Sequence, residues 1–135
     1  SAASDVYKRQ GIKVVAKQTA NFDRSKALDV TTNLMQAHSK ATGIFAENDE
    51  MAIGAISALG SKAGQSAKVV GFDGTADGIK AVKAGTMGAT IAQQPALLGK
   101  TAVDQAADIL AGKQVSKTTP IKVVLVTKDN AKDYE

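Results

Sequence analysis

Gly43-Ile-Phe-Ala-Glu-Asn-Asp-Glu-Met-Ala-Ile-Gly-Ala-Ile-Ser-Ala-Leu-Gly60, with Lys68-Val-Val-Gly-Phe72 after it, decides the fold class. Gly43 to Ala46 is a short apolar run and predicts a strand. Asn48 suits the N-cap of the helix that follows. Asp49 and Glu50 fall in its first turn, where the helix dipole favours acids. Gly60 suits the left-handed residue that ends it. Lys68 to Phe72 then predicts the next strand. A strand, a helix and a strand at this spacing predict parallel pairing through a right-handed crossover.

The same alternation continues on both sides. Upstream, Ile12 to Ala16 is a β-branched run and predicts a first strand. Asp23 caps a helix from about Arg24 to His38, with Ala27, Thr31, Leu34, Met35 and His38 on one face. Downstream, Asp73-Gly74 turns the chain into a helix carrying Ile79 and Val82 and ended by Gly85. Ala89 to Ala92 predicts a fourth strand. Pro95 opens a long helix with Leu98, Ala102, Ala106 and Ile109 on one stripe, closed by Gly112. Ile121 to Val126 predicts the last strand. The sum is an α/β fold: a mostly parallel sheet covered by helices. Ser1 to Gln10 has neither period and is set apart from the fold.

Composition narrows the function. The chain has 135 residues, enough for one domain. Hydrophobic residues at 44% and charged residues at 22% exclude a disordered chain. No apolar run approaches the ~20 residues of a membrane span, and no signal peptide opens the sequence. Without cysteine there is no disulfide framework, thiolate metal site or cysteine nucleophile. The net charge of +4 comes from scattered lysines, and aromatics make up only 4%. That gives few platforms for stacking bases, so the charge reads as a solvated surface and not a nucleic-acid face.

In open parallel sheets, ligands bind beyond the carboxyl ends of the strands. There this sequence places Asn21, Phe22, Asp23 and Arg24, then Glu47 to Glu50, then Phe72 and Asp73, then Gln93 and Gln94. Taken singly, Asn48 is a cap, Asp73 a turn residue and Phe22 a core ring. Together they are the parts of a sugar site, where carboxylates and amides hold hydroxyls and a ring covers the C–H face. Enzyme readings lack material. The one histidine, His38, falls at a helix end, and no nucleophile elbow, phosphate loop or dinucleotide fingerprint occurs. Asp49 and Glu50 start a helix and are expected to point apart, which speaks against a metal site. No cofactor is called for.

Ala46-Glu-Asn-Asp-Glu-Met-Ala-Ile-Gly54, Val69-Val-Gly-Phe-Asp-Gly-Thr75 and Ala89-Thr-Ile-Ala-Gln-Gln-Pro95 strongly resemble the periplasmic sugar-binding proteins of bacterial ABC importers. Asn21-Phe-Asp-Arg-Ser-Lys-Ala-Leu28 fits the same family. The resemblance runs from about Gly11 to Val126. It implies a three-layer, Rossmann-like, periplasmic-binding-protein-like fold of type I, of which this sequence holds only the second lobe. The first lobe and the segment entering the second, with its arginine ligand, would lie outside it. Residues 1–10 would not belong to the family pattern. Residues 11–93 would be the sugar-binding lobe, 94–119 a helix that packs on the other lobe, and 120–135 a hinge strand and tail.

By the same resemblance, Phe22 is a ring that packs on the sugar, Asn48 an amide that bonds hydroxyls, and Gln93 an amide at an interlobe crossing. Phe72 and Asp73 would be a ring contact and a carboxylate accepting from two hydroxyls. The implied function is non-enzymatic binding of a monosaccharide, ribose first, for import. The implied partners are the membrane permease and a chemoreceptor, with a monomeric intact protein. The implied place is the periplasm, or a lipid-anchored outer face in a Gram-positive source. The rival is the effector-binding core of lactose-repressor-type regulators, which shares the Asn-Asp-x-Met-Ala and Gly-Phe-Asp motifs. The Gly-Thr-Ala-Asp-Gly78 and Ala-Gln-Gln-Pro95 continuations favour the importer protein.

Overall fold

Three parallel strands and one antiparallel strand make the sheet, in the order β1-β2-β3-β4. The computed structural model describes residues 11–134, so the expectation for residues 1–10 lies outside the described residues. The strands are β1 (Gly43–Phe45), β2 (Lys68–Asp73), β3 (Ala89–Ala92) and β4 (Val124–Val126). The helices are α1 (Arg24–Ala37), α2 (Asp49–Leu59), α3 (Ala76–Ala84) and α4 (Pro95–Leu110). Local chemistry accounts for their ends. Asp23 caps α1 by accepting from Lys26 N at 2.7 Å, and Asn48 caps α2 by accepting from Met51 N at 2.9 Å. Thr75 caps α3. Gly85, at φ 78, ends it in the left-handed conformation that glycine reaches without cost.

Register assigns the two faces of the sheet. Ile44 pairs with Val69, and Gly71 with Thr90 and through it Val126, so these residues share one face. Helices α2 and α3 cover that face. The core between them holds Ala52, Leu59, Val69, Ile79, Val82, Met87 and Val126. The other face carries Phe45 beside Val70, and Phe72 beside Ile91 and Leu125. Phe45 is 51% and Leu125 54% exposed, so the described residues leave this second face half uncovered.

Two expectations are corrected. Ile12 to Ala16 forms no strand, and Ile12, Val14 and Val15 are exposed. Strand preference of β-branched residues is realised through paired neighbours, and β1 pairs with β2 alone among the described strands. The last strand begins at Val124 and not Ile121. Its partner β3 ends at Ala92, which the register already pairs with Val124. Lys122 instead gives its carbonyl to Gln94 Nε2 at 2.6 Å.

Helix α4 has no buried residue. Leu98 is 44% and Ile109 58% exposed, so its apolar stripe meets solvent.

Candidate functional site

The parallel ladder brings the carboxyl ends of β1, β2 and β3 to one rim. Asn48 lies just past β1, Asp73 ends β2, and Gln93 follows β3. Asp73 and Gln93 meet directly. Gln93 Nε2 donates to Asp73 Oδ1 at 2.7 Å, and Gln93 N donates to Asp73 O at 3.0 Å. One carboxylate oxygen is thus held by the amide while Oδ2 stays outside that bond. Asn48 spends Oδ1 on the cap of α2, and its Nδ2, a donor, takes no part in that bond.

Phe22 reaches the same rim through α1. Arg24 Nε and Nη2 bind both oxygens of Glu50, in the first turn of α2, at 2.8 and 2.9 Å. Arg24 Nη2 also binds Asp77 Oδ2, in the first turn of α3, at 3.0 Å. These pairs raise the affinity of the guanidinium for its proton, Glu50 more than Asp77. They gather the N-termini of three helices at the carboxyl end of the sheet, with Phe22 two residues before Arg24. The ring is 65% exposed, so it is a surface platform and not core. Gly54 permits the close approach of α1: a Cβ there would stand 2.2 Å from Arg24 O and 2.8 Å from Ala27 Cβ.

Phe72 is placed differently. Its pairing with Ile91 sets it on the half-covered face, while Asp73 takes the other side of the ladder. Of the two phenylalanines, Phe22 is the more exposed ring. Among the described residues no hydrogen bond links Phe22 or Asn48 to the Asp73–Gln93 pair.

Backbone strain also collects at this rim. The non-glycine residues with positive φ among the described residues are Asn21 at 53°, Phe22 at 58° and Asp73 at 120°. Such conformations persist where the surroundings over-determine them, and they cluster at ligand sites. Neither of two concavities, ≈ 320 Å³ beside Val15 and the loop 37–41 and ≈ 340 Å³ between Arg24, Asp77, Ile53, Ile56 and Lys80, is lined by Asn48, Asp73 or Gln93.

The sequence places Asp49 on the rim as a first-turn acid and gives Thr75 and Thr90 no role. The structure sends Asp49 into the interior, where it accepts hydrogen bonds from both, and sends Glu50 outward to Arg24. A hydroxyl in the otherwise apolar Ala-Thr-Ile-Ala strand was the available signal.

A family model described as a periplasmic binding protein domain matches residues 1–114. The chain belongs to that family. It is 47% identical over 119 residues to the ribose import binding protein of Bacillus subtilis, covering 88% of this chain and 39% of that protein. It is 46% identical over 126 residues to the ribose import binding protein of Haemophilus influenzae, covering 93% of this chain and 42% of that protein. A solved periplasmic solute-binding protein of an ABC transporter from Actinobacillus succinogenes, with bound D-allose, superposes with a TM-score of 0.90 at 36% identity. That match covers 98% of this chain and 48% of that one. The chain thus spans about two-fifths of the length of the curated relatives it matches, at 39% and 42%. The periplasmic-binding-protein-like α/β fold expected from the sequence is the fold of these relatives.

Proposed function

We propose that this chain is the sugar-binding lobe, with closing helix and hinge strand, of the substrate-binding component of an ABC-type monosaccharide importer. The observation that carries the reading is the Asp73–Gln93 pair, held at a strained backbone on the carboxyl rim of a sheet. The free oxygen of Asp73 and the Gln93 and Asn48 amides bind hydroxyls, and Phe22 lies on the C–H face of the ring. Residues 11–93 form the lobe, 94–119 pack on a second lobe, and 120–135 return as hinge and tail. The exposed stripe of α4 supports that division. Closure of two lobes about a hinge buries the sugar, and the closed form docks on the permease and on a chemoreceptor. The site of action is the periplasm or an outer cell face. The ribose import relatives support ribose as the leading ligand and favour importer over regulator. Binding and release, with no bond made or broken, is the whole activity.

Calorimetry with a panel of monosaccharides, on the protein at the full length of its relatives, tests this. D-ribose is expected to bind most tightly. Absence of binding by every pentose and hexose in the panel sinks the reading.

A further inference from the structure

Asp49 is 0% exposed, in the first turn of α2, and the binding reading gives it no task. A buried carboxylate is costly unless its oxygens are satisfied. Here both are claimed from other elements. Oδ2 accepts from Thr75 N at 2.8 Å and from Thr75 Oγ1 at 3.1 Å, and Oδ1 accepts from Thr90 Oγ1 at 2.7 Å. Glycines make the room. A Cβ at Gly71 would stand 2.3 Å from Oδ1, and one at Gly78 would stand 2.1 Å from Oδ2.

The threonines pass the hold to the backbone beside the ligand site. Thr90 Oγ1 accepts from Gly74 N at 3.2 Å, and Thr75 Oγ1 accepts from Gly78 N at 3.1 Å. The two amides that follow Asp73 are therefore both fixed, that of Thr75 directly and that of Gly74 through Thr90. On the other side Asp73 is fixed by its pairing with Ala92 and by Gln93 N. Between these holds it sits at φ 120, a conformation it would not keep unaided.

We propose that Asp49 is a positioning residue that, through Thr90 and Thr75, holds Asp73 at positive φ with its carboxylate on the rim. Asp49 does not touch the ligand. The inference rests on Asp73 being a ligand of the sugar. A role in folding alone would lower stability on substitution and leave the Asp73 backbone as it is.

Thr90 is the handle that separates the two. Thr90→Val keeps the shape and removes both hydroxyl bonds, whereas Thr90→Ser keeps them. The first readout is the three-bond coupling between the amide and α protons of Asp73. It is small at this positive φ and large in an ordinary extended residue. The second is affinity for D-ribose and D-allose in the full-length protein. Thr90→Val is expected to move the coupling toward the extended value and to weaken sugar binding about tenfold or more, the loss expected of a displaced charge-assisted bond. Thr90→Ser is expected to restore both. Should the valine variant not fold, Thr90→Cys, with its weak S–H donor, is read the same way. A folded Thr90→Val protein with the wild-type coupling and affinity overturns the proposal. Asp73→Ala is the control for the site itself: unchanged affinity there sinks the ligand assignment, and the coupling still decides the role of Asp49.

Discussion

Gln93 Nε2 donates to Asp73 Oδ1 at 2.7 Å, so the amide that follows β3 holds the carboxylate that ends β2. The bond fixes the rotation of the carboxylate before any ligand arrives. It also separates the two oxygens: Oδ1 faces the amide, and Oδ2 is the one that the proposed site offers to hydroxyls.

In the full-length protein, Asp73→Ala should therefore cost at least ~2 kcal/mol of sugar binding, since hydrogen bonds to a charged group contribute ~1.5–3 kcal/mol each. Gln93→Ala and Asn48→Ala should cost less, because each removes a neutral amide. Titration calorimetry of the three variants checks the order. An Asp73→Ala protein that binds with unchanged affinity would contradict the site.

In the proposed reading this lobe supplies one wall of the site, and pockets that hold small ligands enclose ~70–90% of their surface. Residues 1–135 alone should therefore bind D-ribose no more tightly than about millimolar, or ~4 kcal/mol. A saturation-transfer or chemical-shift titration would read such weak binding. Micromolar affinity from this chain by itself would mean that one wall suffices.

Much of this was legible in the sequence because it is local. Asp23, Asn48 and Gly85 act within a few residues of their own helix ends, and they fall where the periodicity places them. The rim followed from the alternation of strands and helices, which puts every βα turn at one end. What the sequence withheld is long-range. Asp49 and Thr90 are 41 residues apart, and nothing local tells an inward first-turn acid from its outward neighbour Glu50. Ile12 to Ala16 carries the residues of a strand, yet a strand exists only beside a partner, and none of the described strands pairs with it. Phe72 reads like Phe22 as an aromatic near the rim, but the ladder turns it to the other face.

Two glycine-to-alanine changes should have opposite signs. At Gly54 the added Cβ would stand 2.2 Å from the backbone oxygen of Arg24, so α1 must move off α2. Overpacking of that kind costs ~1–3 kcal/mol. At Gly99, inside exposed α4, a Cβ meets nothing within 4 Å. There alanine should stabilise the helix by ~0.5–1 kcal/mol through its better propensity. Denaturant midpoints for Gly54→Ala and helical ellipticity for Gly99→Ala check the pair. A Gly54→Ala protein as stable as the parent would show that the two helices are not held at this distance.

The last expectation concerns apolar surface. Leu98 and Ile109 on α4 are 44% and 58% exposed, and Val103 and Leu110 beside them are exposed as well. Phe45 and Leu125 add the half-covered face of the sheet. A large aliphatic or aromatic side chain contributes ~1.5–3 kcal/mol when fully buried, so these surfaces gain by finding cover. Contiguous patches of this kind drive association. Residues 1–135 on their own should therefore self-associate, with sedimentation that depends on concentration and binding of a hydrophobic dye. Two double variants separate the surfaces. Val103→Glu with Ile109→Lys removes the helix stripe, and Phe45→Lys with Leu125→Glu removes the sheet patch. The helix pair should lower association more, because the α4 stripe has no buried residue to anchor it. A chain that stays monomeric across the micromolar range without binding dye would show that α4 finds cover on this same chain, and the division at residue 94 would have to be redrawn.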